Sequence, residues 1–250
     1  MRIDELVAYL DGYLRVRELP DSANALNGLQ VENGGTVTKL GVAVDASERT
    51  INDAVERGCD CLIVHHGLFW DGNLPVTGRR YRRLSKLLEA GVALYSAHIP
   101  LDAHPEVGNN AVLARALGIE VDGEFGDYRG VKIGVMGALS LRREALAARM
   151  HDLLGSPVRF LAGGPERLQR VAVVTGSASD LIHEARDQGM DAFVSGEGPH
   201  HSYFDAMEGG INVYYGGHYA TEVWGVRALG EHLRVRFGLS WEFLDHPTGF

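Results

Sequence analysis

Cysteine is almost absent from this chain: two among 250 residues, Cys59 and Cys61. A lone C-x-C pair cannot carry a disulfide framework and is weak ground for a metal site. Two buried free thiols in a reducing compartment are the expectation. No apolar run approaches the roughly 20 residues of a membrane span, and Met1-Arg2-Ile3-Asp4-Glu5 lacks the pattern of a secretory leader. A soluble, cytoplasmic protein without membrane partners is therefore expected. Positive charge is also short, with 24 Lys and Arg against 33 Asp and Glu and a formal net charge of −9. General nucleic-acid binding needs a basic face, so that class is set aside. A nucleotide substrate stays open, because metal ions can supply the missing charge. Also missing are a P-loop, a dinucleotide fingerprint and a serine on a nucleophile turn.

What is present is an alternation of short apolar runs and helical spacing. Leu40–Val44 reads as a strand, and Ser47 to Gly58 as a helix with Ile51, Ala54 and Val55 on one face. Ser47 can cap it and Gly58 can end it. Cys61–Val64 is the next strand. A helix carrying Tyr81, Leu84, Leu87 and Leu88 stops at Gly91, before the strand Val92–Tyr95. This βαβαβ order implies crossover helices and a mostly parallel sheet. The pattern returns in Val171–Val174, Ser179 to Gly189 and Ala192–Val194. A shift of 131 places Ala54 on Ala185, Gly58 on Gly189, Asp60 on Asp191 and His66 on Glu197. A shift of about 120 aligns Gly91-Val-Ala-Leu-Tyr with Gly210-Ile-Asn-Val-Tyr, and carries His98 and Asp102 to His218 and Glu222. The expected fold is α/β: two similar halves with mostly parallel or mixed sheets, and a metal site between them at strand ends. The halves are set at residues 1–126 and 127–250, with Gly123–Gly130 as the boundary and the C-terminal helix allowed to pack back on the first half.

The site candidates all follow predicted strands, where open α/β sheets place ligands. His65 and His66 end an apolar run and are followed by Gly67. Successive strand residues point to opposite faces, so both rings serve one site only if the strand breaks there, which Gly67 permits. Adjacent rings reach two ions more naturally than one. His98, Asp102, His218 and Glu222 complete the set. Imidazole suits zinc, iron, nickel and copper, and carboxylates extend the range to manganese and magnesium. Thr221 is placed to cap a helix starting near Glu222; if the turn is already helical, His218 and Glu222 share a face. His104 is left out because it precedes Pro105, and His151, His183, His232 and His246 are expected at the surface. Arg79, Arg80, Arg82, Arg83 and Lys86 crowd a helix start, the unfavourable end for cations. That cluster fits either phosphate binding at the pocket mouth or a solvated or subunit-contact face.

Four runs together carry a specific resemblance. Asn27-Gly28-Leu29-Gln30-Val31, Val64-His65-His66-Gly67, His98-Ile99-Pro100-Leu101-Asp102 and Gly217-His218-Tyr219-Ala220-Thr221-Glu222 resemble, in matching order over nearly the whole chain, the NGG-interacting-factor-like family. Its members are also named GTP cyclohydrolase 1 type 2 homologues, and this chain is most similar to the short bacterial form. The resemblance implies two divalent metal ions per subunit and a homohexamer. It puts His66 and Asp102 on one ion, His65 and His218 on the other, and Glu222 between them. His98 and His201 match histidines beside the centre, although Gly198-Pro199 departs from the usual pattern near His201. Two ions roughly 3.5–4 Å apart activate a water at neutral pH and stabilise developing negative charge. The expected activity is metal-dependent hydrolysis of a nucleotide-like small molecule, with His98 or His201 moving protons. In a cyclohydrolase the attack falls on C8 of a guanine ring. The alternatives are a phosphohydrolase on the same centre, or a non-catalytic metal-binding, metal-delivery or partner-binding protein.

Overall fold

The apolar run that ends in the histidine pair becomes the middle strand of a sheet. The computed structural model describes residues 1–70 and 72–250. They divide into two units, Met1–Leu101 with Gly225–His246 and Asp102–Trp224 with Pro247–Phe250. The first unit runs α1 (Ile3–Tyr13), β1 (Gly28–Val31), β2 (Lys39–Asp45), α2 (Glu48–Glu56), β3 (Cys61–His66), α3 (Gly78–Ala90) and β4 (Ala93–Ser96). α4 (Ile99–Asp102) leads into the second unit. There follow α5 (Asn109–Ala116), β5 (Glu120–Tyr128), β6 (Val131–Arg142), α6 (Arg143–Leu154), β7 (Arg159–Ala162) and β8 (Arg167–Val173). A 3₁₀ turn at Ser179–Leu181 precedes α7 (Ile182–Asp187), β9 (Ala192–Ser195), α8 (Ser202–Gly209) and β10 (Asn212–Tyr215). α9 (His218–Phe237) starts in the second unit and ends in the first, which β11 (Ser240–Phe243) completes.

The first sheet has the order β1-β4-β3-β2-β11. β2, β3 and β4 are parallel, β11 joins parallel to β2, and β1 closes the other edge antiparallel to β4. Strands buried on both faces read as continuous apolar runs, which is why Leu62, Ile63, Val64 and Leu94 are all fully buried. Ser47 does cap α2, its side chain accepting from Thr50 N at 3.1 Å. Ile51, Ala54 and Leu87 pack with Leu62, Val64 and Leu94 in one core. Of the apolar positions on α3 only Leu87 is buried, while Tyr81 and Leu88 are exposed.

The second sheet, β5-β6-β8-β9-β10-β7, keeps a parallel trio (β8, β9, β10) and adds antiparallel strands on both sides. Gly123 and Gly126 lie within β5, and Gly130 in the turn to β6. The two trios share a register. Leu40 pairs with Cys61 and Val42 with Ile63, and 131 residues on, Val171 pairs with Ala192 and Val173 with Val194. Leu146, Met150, Val171, Val173, Val194 and Tyr214 form the core on this sheet. The fold is thus α/β with two mixed sheets, as the alternation implied. Cys59 and Cys61 are buried free thiols. Burial pushes them up to about 11 and about 12 respectively. Among the described residues, no helix is long and apolar enough to cross a membrane.

Candidate metal centre

His65, His66, His98 and His218 sit at or just beyond the ends of parallel strands. In the first unit His65 and His66 end β3, and His98 follows β4. One donor atom from each of these three rings lies within 4.8 Å of the others. The ring centroids of His65 and His66 are 4.6 Å apart, with the planes tilted by 46°. β3 runs through both residues and ends at His66, so adjacent strand positions bring their rings together without an earlier break. Gly67 acts through space rather than through backbone freedom. A Cβ there would lie 2.2 Å from Gln30 Nε2, and Gln30 accepts from Leu68 N at 2.8 Å while donating to Leu26 O at 2.6 Å.

An oxygen fixes each ring. His65 Nδ1 donates to Ala97 O at 3.0 Å, His66 Nδ1 to Asp45 Oδ1 at 2.9 Å, and His98 Nδ1 to Asp21 Oδ1 at 2.7 Å. A proton committed to Nδ1 puts the lone pair on Nε2, the tautomer a metal ligand needs. Asp21 also accepts from Ile99 N and Asn27 Nδ2, and Asn27 Oδ1 accepts from His98 N. Burial works to raise the Asp21 carboxyl, but His98, Asn27 and Ser22 outweigh it and hold it below the usual carboxylate range. Trp70 stands edge-on to His98, with centroids 4.8 Å apart.

The second unit holds acidic candidates of its own. Asp102 is 8% exposed, and its Oδ1 accepts from Asn109 Nδ2 at 2.9 Å and Thr175 Oγ1 at 3.5 Å. Asn110 ties this corner together by donating to Asp102 O and Ile133 O and accepting from Thr175 N. His218 Nδ1 donates to Glu197 Oε1 at 2.8 Å, and His218 Nε2 lies 3.2 Å from Glu222 Oε2. Burial would lower the His218 pKa, but Glu222 and Glu197 on its two nitrogens push it up to about 9. Glu222 is 3% exposed. It reaches this position because Gly176, at φ +67°, has no side chain; a Cβ there would lie 2.2 Å from Glu222 Oε1.

The donor chemistry fits a divalent ion. Neutral imidazoles oriented through Nδ1 and a buried carboxylate over a glycine are what N/O metal ligation requires. An imidazole between two carboxylates has its proton where a cation could stand instead. The structure brings together His65, His66 and His98, and separately His218 and Glu222. His201 is exposed in the turn before α8.

Some expectations need correcting. Thr221 does not cap a helix near Glu222. α9 begins at His218, and Thr221 lies inside its first turn, where its hydroxyl donates to Gly217 O and accepts from Gly176 N. His218 and Glu222 therefore share a face. His232 is half-buried and not a surface residue, stacked 4.3 Å from the Tyr13 ring and 2.6 Å from Tyr9 Oη. His246, also half-buried, lies 3.2 Å from Asp53. In the basic cluster, Arg82 grips Glu48 with two nitrogens. Arg80 binds the carbonyls of Leu74 and Gly72 and covers the Phe69 ring. Arg80 thus braces the loop before α3, and Arg82 ties α3 to the start of α2. Asp21, Asp45, Asn109, Asn110 and Thr175 escaped the sequence reading because they serve the site through another residue. The one local signal was the strand end itself, since Asp45 is the register partner of His66.

The chain is similar to known proteins over nearly its whole length. The chain is 46% identical over 249 residues to a protein of Deinococcus radiodurans named GTP cyclohydrolase 1 type 2 homolog, covering 98% of this chain and 94% of the relative. It is 43% identical over 248 residues to an Archaeoglobus fulgidus protein of the same name, covering 99% of each. The crystal structure of TTHA1606 from Thermus thermophilus superposes with a TM-score of 0.91 at 45% identity, covering 100% of both chains. The profile of one family, described as Duf34/NIF3 (NGG1p interacting factor 3), matches residues 1–248. With its strand-end imidazoles and acids, this chain belongs to the Duf34/NIF3 family.

Proposed function

We propose that the chain is a dinuclear metal-dependent hydrolase acting on a nucleotide-like small molecule. His66 and Asp102 would hold one divalent ion, His65 and His218 the other, and Glu222 would be shared between them. Zinc, iron and manganese all suit these donors. The observation that carries the reading is the oxygen placed on Nδ1 of His65, His66 and His218, by Ala97, Asp45 and Glu197. One such bond is common to structural histidines, as in His151 Nδ1 to Ser156 O at 2.9 Å; three rings so held, each beside the end of a parallel strand, match the way metal-ligating histidines are oriented. When bound, the ions supply an acidified water and a counter-charge for the reacting oxygen.

The chain's own residues do the rest. Asp45 and Glu197 orient His66 and His218 and raise their basicity as ligands. His98, anchored through Nδ1 by Asp21, accepts or returns a proton at Nε2, and His201 is the second proton-transfer group. The names of the relatives support a nucleotide-like substrate. A cytoplasmic homohexamer belongs to the same proposal.

Metal analysis and product identification test it together. Freshly purified protein should carry about two divalent ions per chain. Asp102→Ala and Glu222→Ala should lose both metal and turnover while still unfolding cooperatively. Formate released from GTP is the expected product. Inorganic phosphate without formate would turn the reading to a phosphohydrolase. Readily exchanged metal with no turnover of any nucleotide would turn it to a delivery or binding protein.

A further inference from the structure

Four rings of the first unit meet beyond the ends of β3 and β4. The His66 and His98 centroids are 5.6 Å apart, and two ring triangles share this edge. His65 completes one, 4.6 Å from His66 and 4.9 Å from His98. Trp70 completes the other, 5.7 Å from His66 with the planes at 65° and 4.8 Å from His98 at 85°. Both Trp70 contacts are edge-to-face, the arrangement in which a ring edge meets the electron-rich face of its neighbour. One indole thus touches two imidazoles that come from different strand ends.

The chain on either side of Trp70 is fixed by other residues. Gln30 of β1 accepts from Leu68 N at 2.8 Å, and its amide fills the space that a side chain on residue 67 would need. Arg80 of α3 donates to Gly72 O at 3.2 Å and Leu74 O at 3.3 Å, with its guanidinium 5.0 Å from the centre of the Phe69 ring. None of these bonds involves the indole, so truncating Trp70 leaves the anchors in place. The gap that Trp70 bounds with Asn27, Gln30, Gly67, Ser96 and His98 has no room for a water molecule.

We infer that Trp70 is a positioning residue, an indole wall that holds the His66 and His98 rings in one orientation and keeps water off the side of His98 that it covers. The inference rests on the metal-centre reading for its consequence, since His66 is a proposed ligand and His98 a proposed proton-transfer group. Asp45 and Asp21 each fix one nitrogen of their ring, which leaves the ring free to rock about that hydrogen bond. A rocking ring spreads its Nε2 lone pair over many directions, and an ion or a proton meets it in the productive one less often. Contact against the ring itself removes that freedom, and Trp70 supplies it to both rings at once.

Hydrogen exchange of the His98 Nδ1–H, read by NMR on the metal-free full chain, tests the wall without any ion. Trp70→Ala should speed it at least about tenfold, while Trp70→Phe, which keeps an aromatic edge, should stay within about threefold of the parent. The Ile63 N–H in the middle of β3 should exchange as in the parent in both variants. Zinc competition against a chelator should show affinity falling about tenfold in Trp70→Ala and recovering in Trp70→Phe. Parent-like exchange in Trp70→Ala, equal acceleration in the two variants, or zinc affinity unchanged in Trp70→Ala would each overturn the inference. So would acceleration matched at Ile63, which marks a general loosening of the unit. A parent chain that takes up no zinc would remove the metal-centre reading instead, and the exchange rates would still decide the wall.

Discussion

Replacing Gly176 with alanine separates stability from metal binding. The residue sits at φ +67°, and its added Cβ would lie 2.2 Å from Glu222 Oε1. An L-residue held in the left-handed region costs about 1–2 kcal/mol. Gly189→Ala is the matched control, because Gly189 has φ +73° with nothing within 4 Å of the added carbon. Both variants carry the backbone term, and only Gly176→Ala carries the collision. The colliding atom is the tip of a flexible side chain, so Glu222 can swing aside at small cost to the fold. Its swing abandons the position 3.2 Å from His218 Nε2. Thermal unfolding of the metal-free proteins should therefore fall by similar amounts, roughly 2–4 °C per kcal/mol for a chain of this size. Competitive chelator titration should differ, with metal affinity falling about 10–100-fold in Gly176→Ala and staying at the parent value in Gly189→Ala. If Gly176→Ala binds metal like the parent, the glycine does not make room for a ligand and the assignment of Glu222 fails with it.

Three further outcomes follow from particular contacts. Asp45→Ala removes the acceptor on His66 Nδ1 and should weaken metal binding about 10–100-fold; an unchanged chelator titration would refute the orienting role. Asp60 Oδ2 accepts from Thr38 N, Thr38 Oγ1 and Lys39 N. Burial opposes its charge, but those bonds hold the carboxyl below its ordinary value. A depressed folded pKa contributes stability above the unfolded value and loses it as pH falls through the folded one. Asp60→Asn should thus cost about 1–3 kcal/mol in urea melts at pH 7 and progressively less below about pH 4; a pH-independent difference would contradict it. Because burial raises both thiols, iodoacetamide at pH 8 should label Cys59 and Cys61 far more slowly in native than in denatured protein, as mass spectrometry would show. Equal rates would place at least one of them at the surface.

The parallel trios and the ligand candidates were legible in the sequence because each has a local cause. Buried parallel strands are continuous apolar runs, and polar imidazoles at their ends have no packing reason to be there. The edge strands were less legible. β5 and β6 mix exposed and buried positions and contain glycines that read as turns, while β7 and β11 are four residues each. The residues that orient the ligands were silent for another reason. Asp21 meets His98 across 77 positions, and Thr175 meets Asn110 across 65. No spacing rule spans such distances, and only the folded register brings them together. The start of α9 was misplaced because Thr221 has the chemistry of a cap, and a hydroxyl can turn inward to the preceding carbonyls as readily as it caps.

The repeat explains why the two units complement each other in composition. Position 45 carries the carboxylate that orients His66, and 131 residues on stands Gly176, whose missing side chain admits Glu222. Position 66 carries a ligand candidate, and its equivalent is Glu197, which orients His218. Position 65 carries the buried His65, and its equivalent is Gly196, where a Cβ would meet Gly176 O at 2.7 Å and His218 Cα at 2.8 Å. At these three positions, then, one unit holds a ligand candidate or its brace where the other holds a brace or a glycine, whereas His98 and Asp102 keep their chemistry in His218 and Glu222. A single unit repeated without change would place two imidazole-rich clusters in the chain. The divergence leaves two imidazoles side by side at the end of β3 and a histidine between two carboxylates at the start of α9, both sets of N and O donors of the kind divalent ions take.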